Sequence, residues 1–435
     1  MNNASNGWNL PASRGRSEPD SNVGAIMPAI ELSLSEHVRW TLSVEHARVR
    51  MFEPCAPPCP DLTTAVAQAL GHPLDFPPFD QAVVPGDRLV LAVESCLPQI
   101  DALVPAIVDW FRQRGTPANN IGVVVAGVGQ AHAPAVQERL EKRLQALVGS
   151  GVEVEVHDVD NPSRIAYVAA NAQAEPIYIN RAMIDADVVL PVLCARAELA
   201  VDNFGGFGVY PLVSNRDTRG TFYRWQNASP ARQNAAMAQR ATEAAWWSGM
   251  HMAVQVIPAP GGRISQILAG SFTAVTEQAG QQMAAKWTAD MPPADLTIAT
   301  LDADQFQQDW MAVARALHAA SLATVEGGAI VLCSQAAPLA GPACRILSQG
   351  KASSRDVQAQ LNRLSSDDAL AIELLDRITQ STHLYIASQW PAELVESLGA
   401  CPLVDARDVE QLCEKASAIN VLPSAQNCCV VHGNP

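Results

Sequence analysis

Two short loops carry side chains able to move protons. The first, Glu94-Ser95-Cys96-Leu97-Pro98, follows the apolar run Arg88 to Val93; the second, Gly127 to His132, follows Ile121 to Ala126. A carboxylate and an imidazole at strand ends are the usual general acids and bases. Glu94 and His132 are therefore candidate acid–base residues, against the plainer reading of His132 as an exposed or capping imidazole. Gly127 and Gly129 open like a dinucleotide fingerprint, in which Gly-x-Gly between strand and helix lets backbone amides approach a pyrophosphate. His132 stands where the third glycine belongs, and a tight turn accounts for the same residues. In a third loop, Asn203 to Gly208, Gly205, Gly206 and Gly208 fall within four residues, marking a turn, a close backbone approach or an anion nest.

Metal chemistry finds no ligand set in the sequence. No two of the nine histidines sit at ligand spacing, and the pairs Cys55/Cys59 and Cys428/Cys429 lack the second pair or following histidines of a zinc site. No metal is expected, and the ten cysteines read as thiols of a reducing cytoplasm. No Gly-x-Ser-x-Gly elbow, Walker sequence, HExxH or EF-hand loop is present, which excludes the commoner hydrolases, NTPases and metalloproteases.

The elements around these loops alternate. Arg88 to Val93 suits a strand buried on both faces, and Ile100, Leu103, Val104, Ile107, Val108 and Phe111 have the spacing of an amphipathic helix. Strands follow at Ile121 to Ala126, Val152 to His157 and Asp187 to Val192, with a helix marked by Val136, Leu140, Leu144 and Leu147. A helical stretch, Asn227 to Ser248, precedes strands at Val254 to Ile257 and Ile264 to Ala269 across a Pro-Gly-Gly turn. Further helices are expected near Ala274 to Trp287, Phe306 to Leu322, Leu370 to Thr379 and Val409 to Ala418, and strands at Leu296 to Leu301, Ala329 to Cys333 and Leu384 to Ser388. Such alternation predicts an α/β protein with mainly parallel sheets, whose ligands bind beyond the carboxyl ends of the strands. The expected organisation is a flexible tail and lead-in over 1–45, one α/β domain over 46–245 and a second over 246–435.

Composition narrows the partners. The 435 residues hold 29 Lys and Arg against 44 Asp and Glu, a net charge of −15. With no compensating basic block, nucleic acid and anionic membrane are excluded as partners. No run reaches the ~18 apolar residues of a membrane helix, and no apolar segment near the start could serve as a signal sequence. Hydrophobic residues make up 48% and charged residues 17%, enough to fill a large core, so a cytoplasmic globular protein is expected.

Several stretches together resemble the nickel-dependent lactate racemases. They are Ala69 to Phe79, Gly86 to Val93, the helix after Pro98, the Ala126-Gly127 loop, Glu175 to Arg181 with Asp185 and Asp187, and Phe204 to Pro211 with Arg216 to Thr218. Ala314 to Leu317 and Val325 to Leu332 are similar to that family's C-terminal domain, so the resemblance covers about Arg48 to Leu422. It implies two α/β domains with the active site between them. It also implies a nickel pincer nucleotide tethered to a lysine, with a histidine on nickel, two catalytic histidines and an arginine that grips the carboxylate of a 2-hydroxy acid.

Aligned residue by residue, those groups are replaced. The carboxylate-binding arginine falls on Leu97 and the first catalytic histidine on Gln130, with His132 nearby. The second catalytic histidine falls on Glu198, the tether lysine on Gly208 or Phe207, and the nickel-ligand histidine on Tyr223 or Arg224. A C-terminal lysine becomes Arg315, which keeps the charge. The resemblance thus implies a racemase or epimerase of a small 2-hydroxy acid or related anionic metabolite with a rebuilt site. Glu94, His132 and Glu198 are its acid–base candidates, and Arg224 and Arg315 its carboxylate anchors. The glycines 127, 129, 205 and 206 would approach any cofactor, whose identity stays open because the tether and the nickel ligand are absent. The alternatives are a non-catalytic paralogue that binds an anionic metabolite, and a nucleotide-dependent oxidoreductase. The oligomeric state is not read from the sequence.

Overall fold

The apolar runs ahead of the two candidate loops are strands buried on both faces. β4 (Leu89–Glu94) and β5 (Ile121–Ala126) contain no exposed residue. In the computed structural model, which describes residues 29–33, 39–44, 47–127, 138, 140, 142–205, 209–224, 230–302, 308–336, 341–349 and 353–432, they lie inside a six-stranded sheet. Its order is β11 (Arg263–Ser271), β10 (Met252–Ala259), β9 (Val188–Cys194), β4, β5 and β6 (Glu153–Val156). All neighbours are parallel except the β10–β11 hairpin. That hairpin turns through Gly261 and Gly262, both at positive φ, where glycine avoids the strain of a Cβ.

A second six-stranded sheet is parallel throughout: β16 (Cys401–Leu403), β15 (His383–Ala387), β14 (Thr324–Ser334), β13 (Ala294–Leu301), β17 (Ala418–Leu422) and β3 (Arg48–Met51). Three two-stranded sheets complete the strands among the described residues. β1 (Ala29–Ser33) pairs antiparallel with β2 (Arg39–Ser43), β7 (Ile165–Ala170) antiparallel with β8 (Pro176–Asn180), and β12 (Thr288–Asp290) parallel with β18 (Cys429–Val431). The expected α/β class with mainly parallel sheets is what the chain forms.

The break expected at 245/246 does not divide the two sheets. Residues 252–271 add β10 and β11 to the first sheet, because β10 is buried along its whole length and pairs with β9. At the other end of the chain, β3 crosses to the edge of the second sheet beside β17. An edge strand needs only one partner, so the short, partly exposed Arg48–Met51 announces itself weakly in sequence.

Helices cover the sheets largely where periodicity places them. Ile100–Arg112 buries Leu103, Val104, Ile107, Val108 and Phe111, and Pro230–Trp247, Phe272–Trp287 and Ala369–Ser381 match their expected spans. Trp310–Leu322 is buried over almost every residue, Arg315 included, because it packs between the second sheet and other helices. One expected helix is shorter: Ala406–Cys413 opens on a capping box formed by Asp405 and Asp408, and Ala418 already belongs to β17. No helix among the described residues is long and apolar enough to cross a membrane.

Candidate functional site

The carboxyl ends of β4 and β9, with Gln255 of β10, open onto a cavity of about 410 Å³, whose wall includes Glu94, Arg196, Glu198, Asp202, Tyr223 and Asn234. This is the strand-end position at which open parallel sheets hold ligands. Its polar wall starts at the last residue of β4. Glu94 is buried, its Oε2 accepts from the backbone N–H of Cys194 at 3.0 Å, and its Oε1 pairs with the Arg196 guanidinium. Arg196 Nε stands 3.8 Å from Asp202 Oδ2, and Arg315 Nη1 closes onto the same oxygen. Glu94, Arg196, Asp202 and Arg315 thus form one chain of alternating charge, the last link crossing from the first sheet's loops to the helix Trp310–Leu322.

Burial shapes this chain. Burial opposes the charge on Arg196, but Glu94 and Asp202 outweigh it and raise its pKa, so the guanidinium stays charged. Beneath it, Cys96 donates through Sγ to Asp309 Oδ2 at 2.9 Å, while Asp309 Oδ1 caps the helix by accepting from Ala312 N at 2.8 Å. Burial, then Asp309 and Glu94, pushes the Cys96 thiol well up; burial also pushes Cys194 to about 11. Both are thiols at neutral pH and poor nucleophiles. Tyr223 is buried with its phenol pushed well above 10, chiefly by burial and then by Asp202, so it stays protonated. Phe204 packs edge-on to Tyr223 and Phe222, at 5.7 and 5.2 Å between ring centroids.

The residues singled out in the sequence divide. Glu94 and Gly205 line the cavity, and Glu198 lines it as an exposed carboxylate. Gly205 has φ +76°, while the nearest atom to an added Cβ is 3.6 Å away, so backbone conformation and not space asks for glycine. Arg315 is at the cluster, but its guanidinium is already paired with Asp202. Arg224 is turned away from the cavity wall: its Nη2 donates to the carbonyl of Leu364 at 3.4 Å. The Gly127 carbonyl accepts from Arg219 Nη2 at 2.5 Å. His132, Gly129 and Gly206 lie outside the described residues.

Arg196, Asp202, Cys96, Asp309 and Asn234 are the residues that sequence reasoning missed. The signal available was a charged Arg196 directly after the apolar β9 run, in the strand-end position that drew attention to Glu94.

The family profile of the lactate racemase N-terminal domain matches residues 36–197. This part of the chain is similar to a lactate racemase N-terminal domain. The lactate racemase-like fold extends beyond it. The lactate racemase apoprotein of Thermoanaerobacterium thermosaccharolyticum is similar with a TM-score of 0.76 at 17% identity, covering 93% of this chain and all of that one. A protein from Thermotoga maritima is similar with a TM-score of 0.61 at 11% identity, covering 87% of this chain and all of that one. No curated protein sequence matches.

The groups that a nickel pincer nucleotide needs do not fit the residues present. At the aligned nickel-ligand position, Tyr223 offers a buried, protonated phenol and Arg224 a guanidinium with no lone pair to give. Leu97, at the aligned carboxylate-binding position, is buried in the apolar core beside β4. The aligned tether position, Phe207 or Gly208, lies outside the described residues and has no amine in either register. Among the described residues no three His, Cys, Asp or Glu side chains are disposed to hold a metal ion.

Proposed function

We propose that this lactate racemase-like protein binds a small polar metabolite in the cavity at the carboxyl ends of β4 and β9, and does not run the nickel-dependent racemisation of lactate. One observation carries this reading: the guanidiniums beside the cavity, Arg196 and Arg315, are already paired with carboxylates of the chain itself. A free arginine is what would hold a hydroxy acid by its carboxylate, and neither Arg224 nor Arg315 offers one here. The test is to make the protein in cells that synthesise the pincer cofactor, then measure intact mass, nickel content and lactate racemisation. An unmodified mass without nickel or turnover is expected; a covalent adduct or bound nickel overturns the proposal.

A second reading, an isomerase of a 2-hydroxy acid or a related metabolite, has one observation in its favour. Glu198, an exposed carboxylate, lines the same cavity as the protonated Tyr223, so a base and an acid share one wall. Exchange of substrate carbon-bound hydrogen with deuterated water, lost in Glu198→Gln, is the expected signature. Turnover that survives this substitution removes the reading.

A further inference from the structure

The buried strand β10 carries one polar side chain, Gln255, which is 3% exposed and whose register partner on β9 is Leu193. Strand alternation fixes its direction. Val254 and Val256 pack into the apolar core on one face of the sheet, so Gln255 projects with Ile257 from the other, where the helices Pro230–Trp247 and Phe272–Trp287 wall the cavity. Its backbone is paired with β9 on one side and β11 on the other, so what it presents to the cavity is its carboxamide. Among the described residues that carboxamide has no hydrogen-bond partner. A buried amide costs free energy until it is paired.

Space is kept open on the same face. Ala235 and Ala238 of one helix and Ala279 and Gly280 of the other line the cavity with side chains too small to fill it. Gly280 lies inside the helix Phe272–Trp287, where glycine is destabilising relative to alanine, and an added Cβ there would meet nothing within 4 Å. Neither backbone conformation nor crowding asks for glycine, so its effect is to leave room. The charges nearby are already matched, Glu94 with Arg196 and Asp202 with Arg315, and the exposed Glu198 adds only a carboxylate. An anionic ligand group could use only the N–H of Gln255 and a cationic one only its oxygen, whereas a neutral amide uses both at once, N–H to C=O and C=O to N–H.

We infer that the cavity takes a small uncharged metabolite bearing a carboxamide, which Gln255 holds by a pair of hydrogen bonds, in place of the anionic hydroxy acid. The inference rests on the reading that this cavity binds a metabolite. The carboxamide end of the ligand lies at β10, and the rest of it extends along the row Gln255, Leu193, Glu94 towards the Glu94–Arg196 pair, whose strand β4 is two strand spacings, roughly 10 Å, from β10.

Two matched ligand sets test it by calorimetry and thermal shift. The first is lactamide, 1,2-propanediol and lactate; the second is benzamide, benzyl alcohol and benzoate. In each, one carbon skeleton carries carboxamide, hydroxymethyl or carboxylate. The carboxamide member is expected to bind at least tenfold tighter than its two counterparts. Gln255→Met, of similar volume, should weaken it by about ten- to a hundredfold, the size of two hydrogen bonds. The free variant should melt no lower than the parent, because it loses an amide that had no partner. Gly280→Leu should fill the space and abolish binding, again without lowering the melting temperature. The inference is overturned, and the cavity-binding reading left standing, by tighter binding of the alcohol or acid member, by a carboxamide affinity that either substitution leaves unchanged, or by a fall of several degrees in the melting temperature of free Gln255→Met. Binding by no member of either set overturns both.

Discussion

Asp367→Ala is expected to destabilise the protein sharply by breaking a buried ion pair. Arg219, on the helix Arg216–Phe222, has a side chain with no exposed surface. Its Nε donates to Asp367 Oδ1 at 3.1 Å, and its Nη2 reaches both Asp367 Oδ2 and the Gly127 carbonyl. Removing the carboxylate breaks this buried ion pair from one side, a change that costs about 3–5 kcal/mol. Unfolding entropy of ~2.1 cal/mol/K per residue converts this, for a chain of 435 residues melting as one unit, into a fall of about 3–6 °C. Differential scanning calorimetry reads the shift directly. The double variant Arg219→Met with Asp367→Leu removes both buried charges together and should recover most of the loss. A melting temperature for Asp367→Ala within a degree of the parent would refute the argument, because no buried charge would then have depended on Asp367.

Other changes probe the same architecture. Gly220→Ala would place its Cβ 2.7 Å from Ser365 Cα, so calorimetry should show a loss of about 1–3 kcal/mol, and Gly220→Ser should be tolerated no better. His318 is held to a pKa of about 4 by burial, below its ordinary 6.5. Between those values the unfolded chain takes up a proton that the folded chain refuses, so stability is full above about pH 6.5 and falls as pH drops towards 4. The shift corresponds to at most about 3 kcal/mol, and to ~1–2 kcal/mol for a ring that keeps partial solvent contact; urea titrations across this range should flatten in His318→Phe. Finally, iodoacetamide at pH 8 should modify the exposed Cys55 and Cys401 first and leave Cys96 and Cys194 unmodified on the same timescale, read by peptide mass spectrometry.

The parts of the fold legible in sequence were those with a strong local pattern. The runs at β5 and β9, and β4 up to Glu94, are apolar because both faces are covered, and the helix Ile100–Arg112 repeats its apolar residues at helical spacing. What escaped was decided between distant segments. β3 is a four-residue edge strand paired with β17 more than three hundred residues later, and β16 has three residues. At the site, Glu94 was legible because strand-end loops of α/β sheets are known places for chemistry. Its partners were not, because Asp202 lies in a loop and Arg315 on a buried helix, and only the packing of the two sheets joins them. A charged residue in an apolar helix was read as a free anchor, whereas burial required it to be paired already.

On the proposed reading, that pairing sets which ligand charge the cavity would accept. For Arg196 to grip a substrate carboxylate it must release Glu94, a buried carboxylate whose remaining hydrogen bond is the Cys194 N–H. Leaving that charge unpaired costs about 3–5 kcal/mol, whereas a new charge-assisted hydrogen bond returns about 1.5–3 kcal/mol, so the exchange is unfavourable. Glu94→Gln reverses the balance. The amide oxygen still accepts from Cys194 N–H, nothing charged is stranded, and Arg196 keeps the contact to Asp202 at 3.8 Å and its Nη1 bond to the Cys194 carbonyl at 3.4 Å. Lactate, bound weakly or not at all by the parent, should then gain affinity by about tenfold or more, seen as a thermal shift and as a calorimetric titration that salt weakens. If Glu94→Gln binds lactate no better than the parent, the guanidinium is not what the cavity withholds from anions, and the exclusion must come from its shape.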